Sequence, residues 1–484
     1  MSGIHQEFVR RADRIPFLGL GLSVDVYSPD IFELWEELQN RQLSMAYLEI
    51  FHAASEALEI VRARLPGIPL AYHAEGLWVT QPDWETAYAS QERLLAAAHN
   101  LRILQAHWVN QECAAKEIAG FAFGTYLPPL FTGASAEVTA YHAWKAQLRF
   151  DQCDWGGRPE APLLLLEGPP LTYFSMGDIS YADFFTRVAA LAPCGLVLDL
   201  GHVWTVYRYT AAWRSHSLES FFEAFLKQYP LERVIQIHIA GLGCHPALNK
   251  PASEKSRNPP AWIDAHETSI PEELFILLAR VLREPRLTNL KGVALEVDNK
   301  QIPLICREVK TMMEIMEPLV NRRTSMPVPA TDFHHEIGSP VCDFEPSRET
   351  RDTLTSQYKN YVELVTGHVR SRHNIPQIGD VEMGEELRDY ATQYLPYEII
   401  SWGGDMRGMF PHTCQMLDQH GFSLYQFVEF WFAHSRASEP EYDFFLLKIH
   451  LFVEFLDQVL PCAVSTVKQE AAVLSEGYTL ACHT

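Results

Sequence analysis

Along about the first 320 residues, short apolar runs alternate with longer segments in which apolar and polar residues are mixed. Eight short runs are rich in Val, Ile and Leu and contain few polar residues, as expected for parallel strands covered on both faces. They cover residues 17–25, 45–51, 70–75, 103–109, 163–168, 196–203, 233–241 and 292–298. The segments between them, such as "SPDIFELWEELQNRQ" and "IPEELFILLARVLRE", have apolar residues at helical spacing and helix-start signals. The pattern predicts a (β/α)₈ TIM barrel.

An open, doubly wound sheet is the alternative α/β fold for this pattern. Such sheets commonly bind nucleotides through a G-x-G-x-x-G turn after the first strand. No such turn follows the first predicted strand, "FLGLGLSVD". The sequence therefore favours the barrel and weakens a nucleotide-binding interpretation.

The alternation ends near residue 320, where the pattern changes. Residues 323–345 are rich in Pro and aperiodic, which is typical of a linker. The segments "RETRDTLTSQYKNYVELVTGHV" and "DFFLLKIHLFVEFLDQVL" follow, and both have the spacing of amphipathic helices. We therefore predict a TIM-barrel domain at residues 15–322, a linker at 323–345, and a smaller, mainly α-helical domain at 346–484.

The composition limits the classes of partner and compartment. The chain has 484 residues, long enough for two domains, and 39 basic against 61 acidic residues give a net charge of −22. A chain this acidic repels phosphate backbones, so nucleic acid is not expected as a partner. The nine cysteines form no C-x-x-C pair, the first residues contain no apolar secretion signal, and no run is long enough to cross a membrane. These features predict a cytoplasmic protein without a membrane partner.

Polar residues follow or end most of the predicted strands. The strand-end residues are His73, His107, Glu167, Asp199, His202, His238 and Glu296; Glu49 closes the second strand, and the loop after the seventh strand adds Asp264 and His266. Each has a structural explanation when taken singly: Asp199 could cap a helix, Glu296 could form a salt bridge, and His107 could pack in the core. Because the carboxyl ends of barrel strands converge on one mouth, the set as a whole predicts a metal site. Imidazoles and carboxylates without thiolates suit Fe, Mn or Zn, and their number exceeds what one ion can bind.

The succession His73, His107, Glu167, "LDLGH", "IHIAG", "IDAHE" and "LEVD" resembles the multinuclear non-heme iron-dependent oxidases over about residues 15–320. The resemblance implies a TIM barrel that holds two or three irons in Fe²⁺ and Fe³⁺ states and uses O₂ as co-substrate. It also implies a cysteine-containing precursor peptide or small thiol as substrate. The implied metal ligands are His73, His107, Glu167, Asp199, His202, His238, Asp264, His266 and Glu296. Asp199, Asp264 and Glu296 are further expected to take part in catalysis, and Glu167 and Asp264 to bridge ions.

The sequence departs from the family pattern after the fifth strand. Family members commonly have Asn after the glutamate, whereas Gly168 follows Glu167 in this chain. A third iron or a substrate contact must therefore be completed differently. His202 is the expected replacement, as a ligand or through a hydrogen bond to a ligating carboxylate.

Two further questions stay open at the level of sequence. Residues 394–433 faintly resemble the partner proteins that present precursor peptides to such oxidases, which suggests a fused partner domain. A metal-dependent hydrolase or isomerase of the xylose-isomerase-like barrel group and a non-catalytic binding scaffold are the alternative functions. A homo-oligomer is compatible with all three.

Overall fold

The computed structural model describes residues 3–156, 160–170, 173–247, 259–324, 344–367, 385–437 and 444–482. Its strands are β1 (Gly19–Val24), β2 (Tyr47–Phe51), β3 (Leu70–His73), β4 (Trp108–Glu112), β5 (Ala115–Ile118), β6 (Phe121–Leu127), β7 (Leu163–Glu167), β8 (Gly195–Asp199), β9 (Val234–Ile239), β10 (Leu242–Cys244), β11 (Trp262–Asp264) and β12 (Gly292–Glu296). Eight of them close a parallel barrel in the order β1-β12-β9-β8-β7-β4-β3-β2. β1 pairs in parallel with both β12 and β2, which completes the ring. The predicted TIM barrel is confirmed.

The helices of the barrel part precede β1, lie between successive strands and follow β12. They are α1 (Gly3–Ala12), α2 (Ile31–Asn40), α3 (Ser55–Arg64), α4 (Tyr88–Leu104), α5 (Gly133–Asp151), α6 (Tyr181–Leu191), α7 (Leu200–Tyr209), α8 (Leu218–Gln228), α9 (Glu272–Val281) and α10 (Ile302–Thr324). Short 3₁₀ turns occur at Ala212–Arg214 and Leu231–Arg233. No described helix is long and apolar enough to cross a membrane.

The barrel interior is layered, because alternate residues of each strand point inward. The lower layer is apolar and includes Trp108, Leu165 and Val197, and α1 closes its amino end with Phe8. Glu49 and Gln236 form a polar layer above it, and both side chains are fully buried. The last inward positions of the strands therefore present polar groups at the carboxyl-terminal mouth.

The fourth strand differs from its predicted position at 103–109. Residues up to Leu104 belong to α4, which ends at Gln105 in a left-handed conformation with φ 53°. β4 then runs from Trp108 to Glu112. The apolar run "ILQAHWV" thus covers the end of a helix and the start of a strand, which its periodicity alone cannot separate.

The run predicted as a strand at 196–203 is also divided in the structure. β8 ends at Asp199 and α7 begins at Leu200, because the Asp199 side chain caps the helix. The residues "LGHV" therefore form the first turn of α7, in which Leu200 and Val203 are buried.

The chain divides into two compact units. The first contains Met1–Ala114, Pro128–His245 and Lys250–Leu354, and the second contains Ala115–Leu127, Pro246–Asn249 and Thr355–Thr484. The described helices after the barrel are α11 (Arg348–Val365), α12 (Glu385–Asp389), α13 (Leu395–Ser401), α14 (Met406–Met409), α15 (Pro411–Gln419), α16 (Leu424–Trp431), α17 (Phe444–Val459) and α18 (Val464–Cys482). A π-helical turn, Tyr390–Tyr394, joins α12 to α13, and a 3₁₀ turn, Pro461–Ala463, precedes α18.

The hairpin formed by β5 and β6 groups with the C-terminal helices, although it lies within the sequence range predicted for the barrel domain. The indole Nε1 of Trp431 donates a hydrogen bond to the Ala122 carbonyl at 2.8 Å. The rings of Phe123 and Phe432 lie 5.3 Å apart. These contacts give the second unit a small β-sheet in addition to its helices.

Candidate metal centre

Buried imidazoles and carboxylates converge at the barrel mouth. His238 is central: its Nδ1 lies 3.1 Å from Glu167 Oε1 and 3.3 Å from Glu296 Oε1. His73 Nε2 lies 3.6 Å from the other Glu167 oxygen. The His73 and His238 rings are stacked at 6.3 Å between centroids. The ends of four strands, β3, β7, β9 and β12, thus supply donors to one small volume.

The two carboxylate oxygens of Asp199 have different environments. Its Oδ1 accepts a hydrogen bond from the backbone N–H of His202 at 2.6 Å, which caps α7. Its Oδ2 is buried and has no hydrogen-bond partner among the described residues. The helix-cap explanation is therefore correct for one oxygen and leaves the other free to bind a cation.

His202 lies between three carboxylates. Its Nδ1 is 3.8 Å from Glu167 Oε1, and its Nε2 is 3.8 Å from Asp199 Oδ1 and 3.6 Å from Asp264 Oδ2. These separations exceed hydrogen-bond length, and neither ring nitrogen has a hydrogen-bond partner in the described chain. His202 is only 1% exposed, and the carboxylates of the site lie on the side of both ring nitrogens.

Asp264 and His266 form the outer side of the centre. His266 Nε2 lies 2.9 Å from Asp264 Oδ2 and 3.6 Å from Glu296 Oε2. Its Nδ1 lies 2.9 Å from Asp298 Oδ2, while the other Asp298 oxygen accepts the backbone N–H of Asp25. This Asp–His–Asp row orients the imidazole, in the way that outer carboxylates orient metal-bound histidines.

A hydrogen-bonded floor supports the centre from below. The Trp108 indole donates to Glu49 Oε2 at 3.2 Å and to Gln236 Oε1 at 2.8 Å, and Gln236 donates to the Tyr47 hydroxyl at 3.1 Å. The remaining Glu49 oxygen lies 2.9 Å from His238 Nε2. Because Glu49 is fixed on both sides, the position of His238 is determined by the barrel interior.

The pattern of unpartnered atoms fits bound cations. Buried ligand atoms without a hydrogen-bond partner in the described chain include His73 Nδ1, Asp199 Oδ2, both His202 nitrogens, Asp264 Oδ1 and Glu296 Oε2. Such atoms are costly in a folded interior unless an ion or water completes them. Two groups have ligand atoms within 4.8 Å of one another: Glu167, Asp199 and His202, and Asp199, His238 and Glu296. Asp199 belongs to both groups, whereas the sequence interpretation expected Glu167 and Asp264 to bridge ions.

A model of a protein family matches most of the barrel part of the chain. A family model described as "RiPP precursor modification enzyme MbnB/TglH/ChrH" matches residues 33–317, which is more than half of the chain. This chain belongs to that family. The resemblance inferred from the strand-end residues is thereby confirmed.

The similarity to one curated relative covers part of the chain. A UPF0276 protein from Paraburkholderia phytofirmans is 29% identical over 185 residues, which are 37% of this chain and 52% of that protein. The chain thus spans about half the length of the curated relative that it matches.

Solved structures with similar folds include two endonucleases. Endonuclease IV from Thermus thermophilus is 19% identical with a TM-score of 0.38, and the similarity covers 62% of this chain and 99% of the enzyme. A family 2 AP endonuclease from Brucella melitensis is 12% identical with a TM-score of 0.33, covering 58% and 93% of the two chains. The barrel assignment rests on the strand pairing described above.

The electrostatics of the centre favour added positive charge. Burial alone would lower the pKa of His73, but the surrounding carboxylates raise it to about 9. Burial and neighbouring carboxylates raise the pKa of Asp199 to about 7. Burial also raises the pKa of Glu112 to about 8. Protons accumulate on such groups because negative charge is in excess, and a metal cation displaces those protons when it binds.

His107 does not belong to the centre, which corrects the ligand prediction. It precedes β4, and its backbone N–H bonds to the carbonyl of Leu70, the first residue of β3. His73 is the last residue of β3, so His107 lies at the amino end of the barrel, roughly 10 Å along the strand direction. The error follows from the misplaced fourth strand.

Residues absent from the predicted ligand set also contact the centre. Glu49 contacts His238, Asp298 contacts His266, and Glu112 ends β4 beside Glu167. A corrected boundary for β4 would have found Glu112, because it is a strand-end carboxylate like the others. Asp298 stands two residues after Glu296 in "LEVD", in the turn that follows β12.

Proposed function

We propose that this chain is an O₂-dependent multinuclear non-heme iron oxidase that modifies a cysteine-containing precursor peptide or a small thiol. One observation carries the proposal: two buried ligand groups share Asp199 at the barrel mouth of a member of the RiPP precursor modification family. A carboxylate common to two ligand groups is suited to hold two cations close together.

The donor chemistry supports iron as the metal. The centre offers imidazole nitrogens and carboxylate oxygens and no thiolate among the described groups. This set suits Fe, Mn or Zn, and the family resemblance favours Fe over the other two. His73, Glu167, Asp199, His202, His238, Asp264, His266 and Glu296 would hold the ions. Iron in this position supplies the one-electron chemistry that lets O₂ accept electrons from a cysteine residue.

The protein groups around the ions have separate tasks. His238 is fixed from below by Glu49, and Asp199 is fixed by its bond to the α7 amino end, so both present donors without further rearrangement. His266 is 22% exposed, whereas His238 beside it is fully buried. Asp298 lies 2.9 Å from the Nδ1 of His266 and so orients the imidazole, whose Nε2 would then face an ion beside Asp264.

The C-terminal part of the chain has a proposed role in presenting the substrate. The predicted boundary places a helical domain at 346–484, and the second compact unit of the structure includes Thr355–Thr484. This unit also takes up the 115–127 hairpin, whose sequence follows β4 directly. We infer that it binds part of the precursor peptide, so that one chain combines the oxidase and its partner. Its loss is expected to weaken substrate binding rather than the chemical step.

Anaerobic purification tests the oxidase proposal. The protein is expected to contain two or more irons per chain by elemental analysis and to consume O₂ when given a cysteine-containing peptide. His238→Ala should lower the metal content while circular dichroism remains unchanged, because His238 faces the mouth. His99→Ala, a change on the exposed surface of α4, is the matched control. Zinc alone, with no activity gained on adding ferrous iron, would refute the proposal.

A further inference from the structure

A buried ion pair lies behind the outer side of the metal centre. The Lys300 ammonium is 2.8 Å from Glu308 Oε2, and the two residues are 1% and 6% exposed. Lys300 follows the turn after β12, and Glu308 belongs to the second turn of α10. Taking both charges out of water costs about as much free energy as their attraction returns, so the pair is weak evidence for added stability. Its other contacts therefore indicate what the pair does.

Glu308 joins the two chain segments that contain the outer residues of the centre. Its Oε1 accepts a hydrogen bond from the Ile270 backbone N–H at 2.8 Å, and its Oε2 binds the Lys300 ammonium. Ile270 ends the His266 segment (266–270), and Lys300 ends the Asp298 turn (298–300). One side chain of α10 thus connects the His266 segment to the Asp298 turn.

The Asp298 turn is also held by the segment that follows β1. Asp298 Oδ1 accepts the Asp25 backbone N–H at 2.7 Å, and the Asn299 N–H donates to the Ser28 carbonyl at 2.6 Å. Asn299 has a left-handed backbone with φ 58°, a conformation that asparagine adopts more readily than most residues. The turn is therefore fixed at two points, by the segment after β1 and by the ion pair of Lys300.

The relative position of the His266 segment and the Asp298 turn determines the orientation of the His266 ring. His266 Nδ1 lies 2.9 Å from Asp298 Oδ2, and its Nε2 lies 2.9 Å from Asp264 Oδ2. A hydrogen bond weakens steeply when its angle departs from linear. A small displacement of one segment against the other would therefore release the ring from Asp298, and His266 would lose the orientation that a metal ligand needs.

We propose that Lys300 and Glu308 are positioning residues of the metal centre: they hold the His266 segment and the Asp298 turn in register, so that Asp298 orients the His266 imidazole towards an ion. The inference rests on the proposed function only in that the barrel mouth binds metal. The alternative is that the pair only anchors α10 to the barrel. The two interpretations differ in whether loss of the pair acts on the metal centre through His266.

Cobalt binding by the full-length protein tests the proposal. Protein stripped with a chelator is titrated with Co²⁺ without O₂, and binding is followed by visible absorption and by elemental analysis. Lys300→Met combined with Glu308→Met replaces the ion pair by apolar side chains of similar length, a change that commonly leaves stability intact. This double variant should bind one Co²⁺ about tenfold more weakly and with shifted absorption bands, as expected when an outer partner of a ligand is lost. Lys310→Met combined with Glu314→Met, at exposed positions of α10, is the matched control and should match the wild type.

A His266→Ala background separates positioning from a general structural effect. If the pair acts through His266, the double methionine change should have no further effect on Co²⁺ affinity once His266 is removed. An equal loss of affinity with and without His266 would overturn the proposal. A double methionine variant whose Co²⁺ affinity is within about twofold of the wild type, with unchanged absorption bands, would overturn it as well.

A second variant keeps the test informative if the double methionine variant does not fold. Lys300→Met combined with Glu308→Gln retains an amide oxygen for the Ile270 N–H and removes the connection to the Asp298 turn. It should also weaken the binding of one Co²⁺, again only while His266 is present, and unchanged binding would count against the proposal.

The same titration distinguishes this inference from the proposed function, because Co²⁺ binding needs neither O₂ nor peptide. A wild type that binds Co²⁺ but oxidises no thiol would refute the proposed function and leave the positioning role of Lys300 and Glu308 intact. A wild type that binds no Co²⁺ would overturn both.

Discussion

The Tyr181 hydroxyl lies where a side chain at position 168 would begin. A Cβ built on Gly168 would be 1.6 Å from Tyr181 Oη and 2.5 Å from its Cζ. The Tyr181 ring is held by Phe185, at 4.9 Å between centroids, and by Phe131, at 5.9 Å. Glycine at position 168 thus leaves room for Tyr181 at the start of α6. The asparagine of the family pattern at this position would clash with the tyrosine.

Gly168→Ala is therefore expected to destabilise the barrel by about 1–3 kcal/mol, since Tyr181 must move within a packed core. Urea unfolding followed by fluorescence measures the change. Gly67→Ala is the control, because a Cβ there meets no atom within 4 Å. Combining Gly168→Ala with Tyr181→Leu should recover part of the loss. Simple addition of the two single effects would show that the Tyr181 contact is not the cause.

His202 is predicted to bind metal directly. Its two ring nitrogens are buried, lack hydrogen-bond partners in the described chain and face Glu167, Asp199 and Asp264. A crystal structure with metal bound should place one His202 nitrogen roughly 2.0–2.3 Å from an ion, close to the range known for zinc. A ring that only donates to a ligating carboxylate, beyond bonding distance from each metal, would contradict this prediction.

The contribution of His142 to the stability of the barrel should fall in mild acid. The His142 ring is fully buried, its Nδ1 bonds to the Val79 carbonyl at 2.9 Å, and burial lowers its pKa to about 4. An unfolded chain takes up this proton near pH 6.5, so the stabilisation is complete above pH 6.5 and is lost as the pH falls towards 4. At pH 5 the loss is about 2 kcal/mol.

Unfolding midpoints of the wild type and of His142→Gln, measured between pH 7 and pH 5, check this expectation. The Gln variant should lose less stability over the interval, although it starts lower at pH 7. His216→Gln, an exposed position, is the control and should follow the wild type. Parallel pH profiles for wild type and His142→Gln would exclude His142 as the titrating group.

Shortened chains test whether the C-terminal unit presents the substrate. A chain that ends near residue 323 should keep its barrel and its metal but lose turnover through a higher KM, with little change in kcat. A second chain, ending after Leu354, retains the contact of Phe344 with Tyr141 and the ion pair of Arg351 with Glu85. Comparing the two shortened chains separates the effect of losing these contacts from the effect of losing the helical unit. Full activity of either shortened chain would contradict the proposed role.

Periodicity alone determined the barrel and most of its mouth. Apolar runs ending in a polar residue identify Glu167, Asp199, His238 and Glu296, because inward and outward positions alternate strictly in a strand. The local pair Asp264 and His266 is equally visible in the sequence. In each case the signal that identifies the residue lies within a few residues of it. The residues then lie close together because the carboxyl ends of the parallel strands converge.

Tertiary structure decided what the local signals could not. The division of "ILQAHWV" between α4 and β4 depends on the left-handed turn at Gln105, and it exchanges His107 for Glu112 at the mouth. The role of Glu49 depends on contacts with Trp108 and His238, which are 59 and 189 residues away in sequence. The hairpin at 115–127 joins helices that follow it by some 300 residues. These relationships arise from packing between distant segments, and the physical cause is that burial and hydrogen bonding are satisfied across the whole fold, not along the chain.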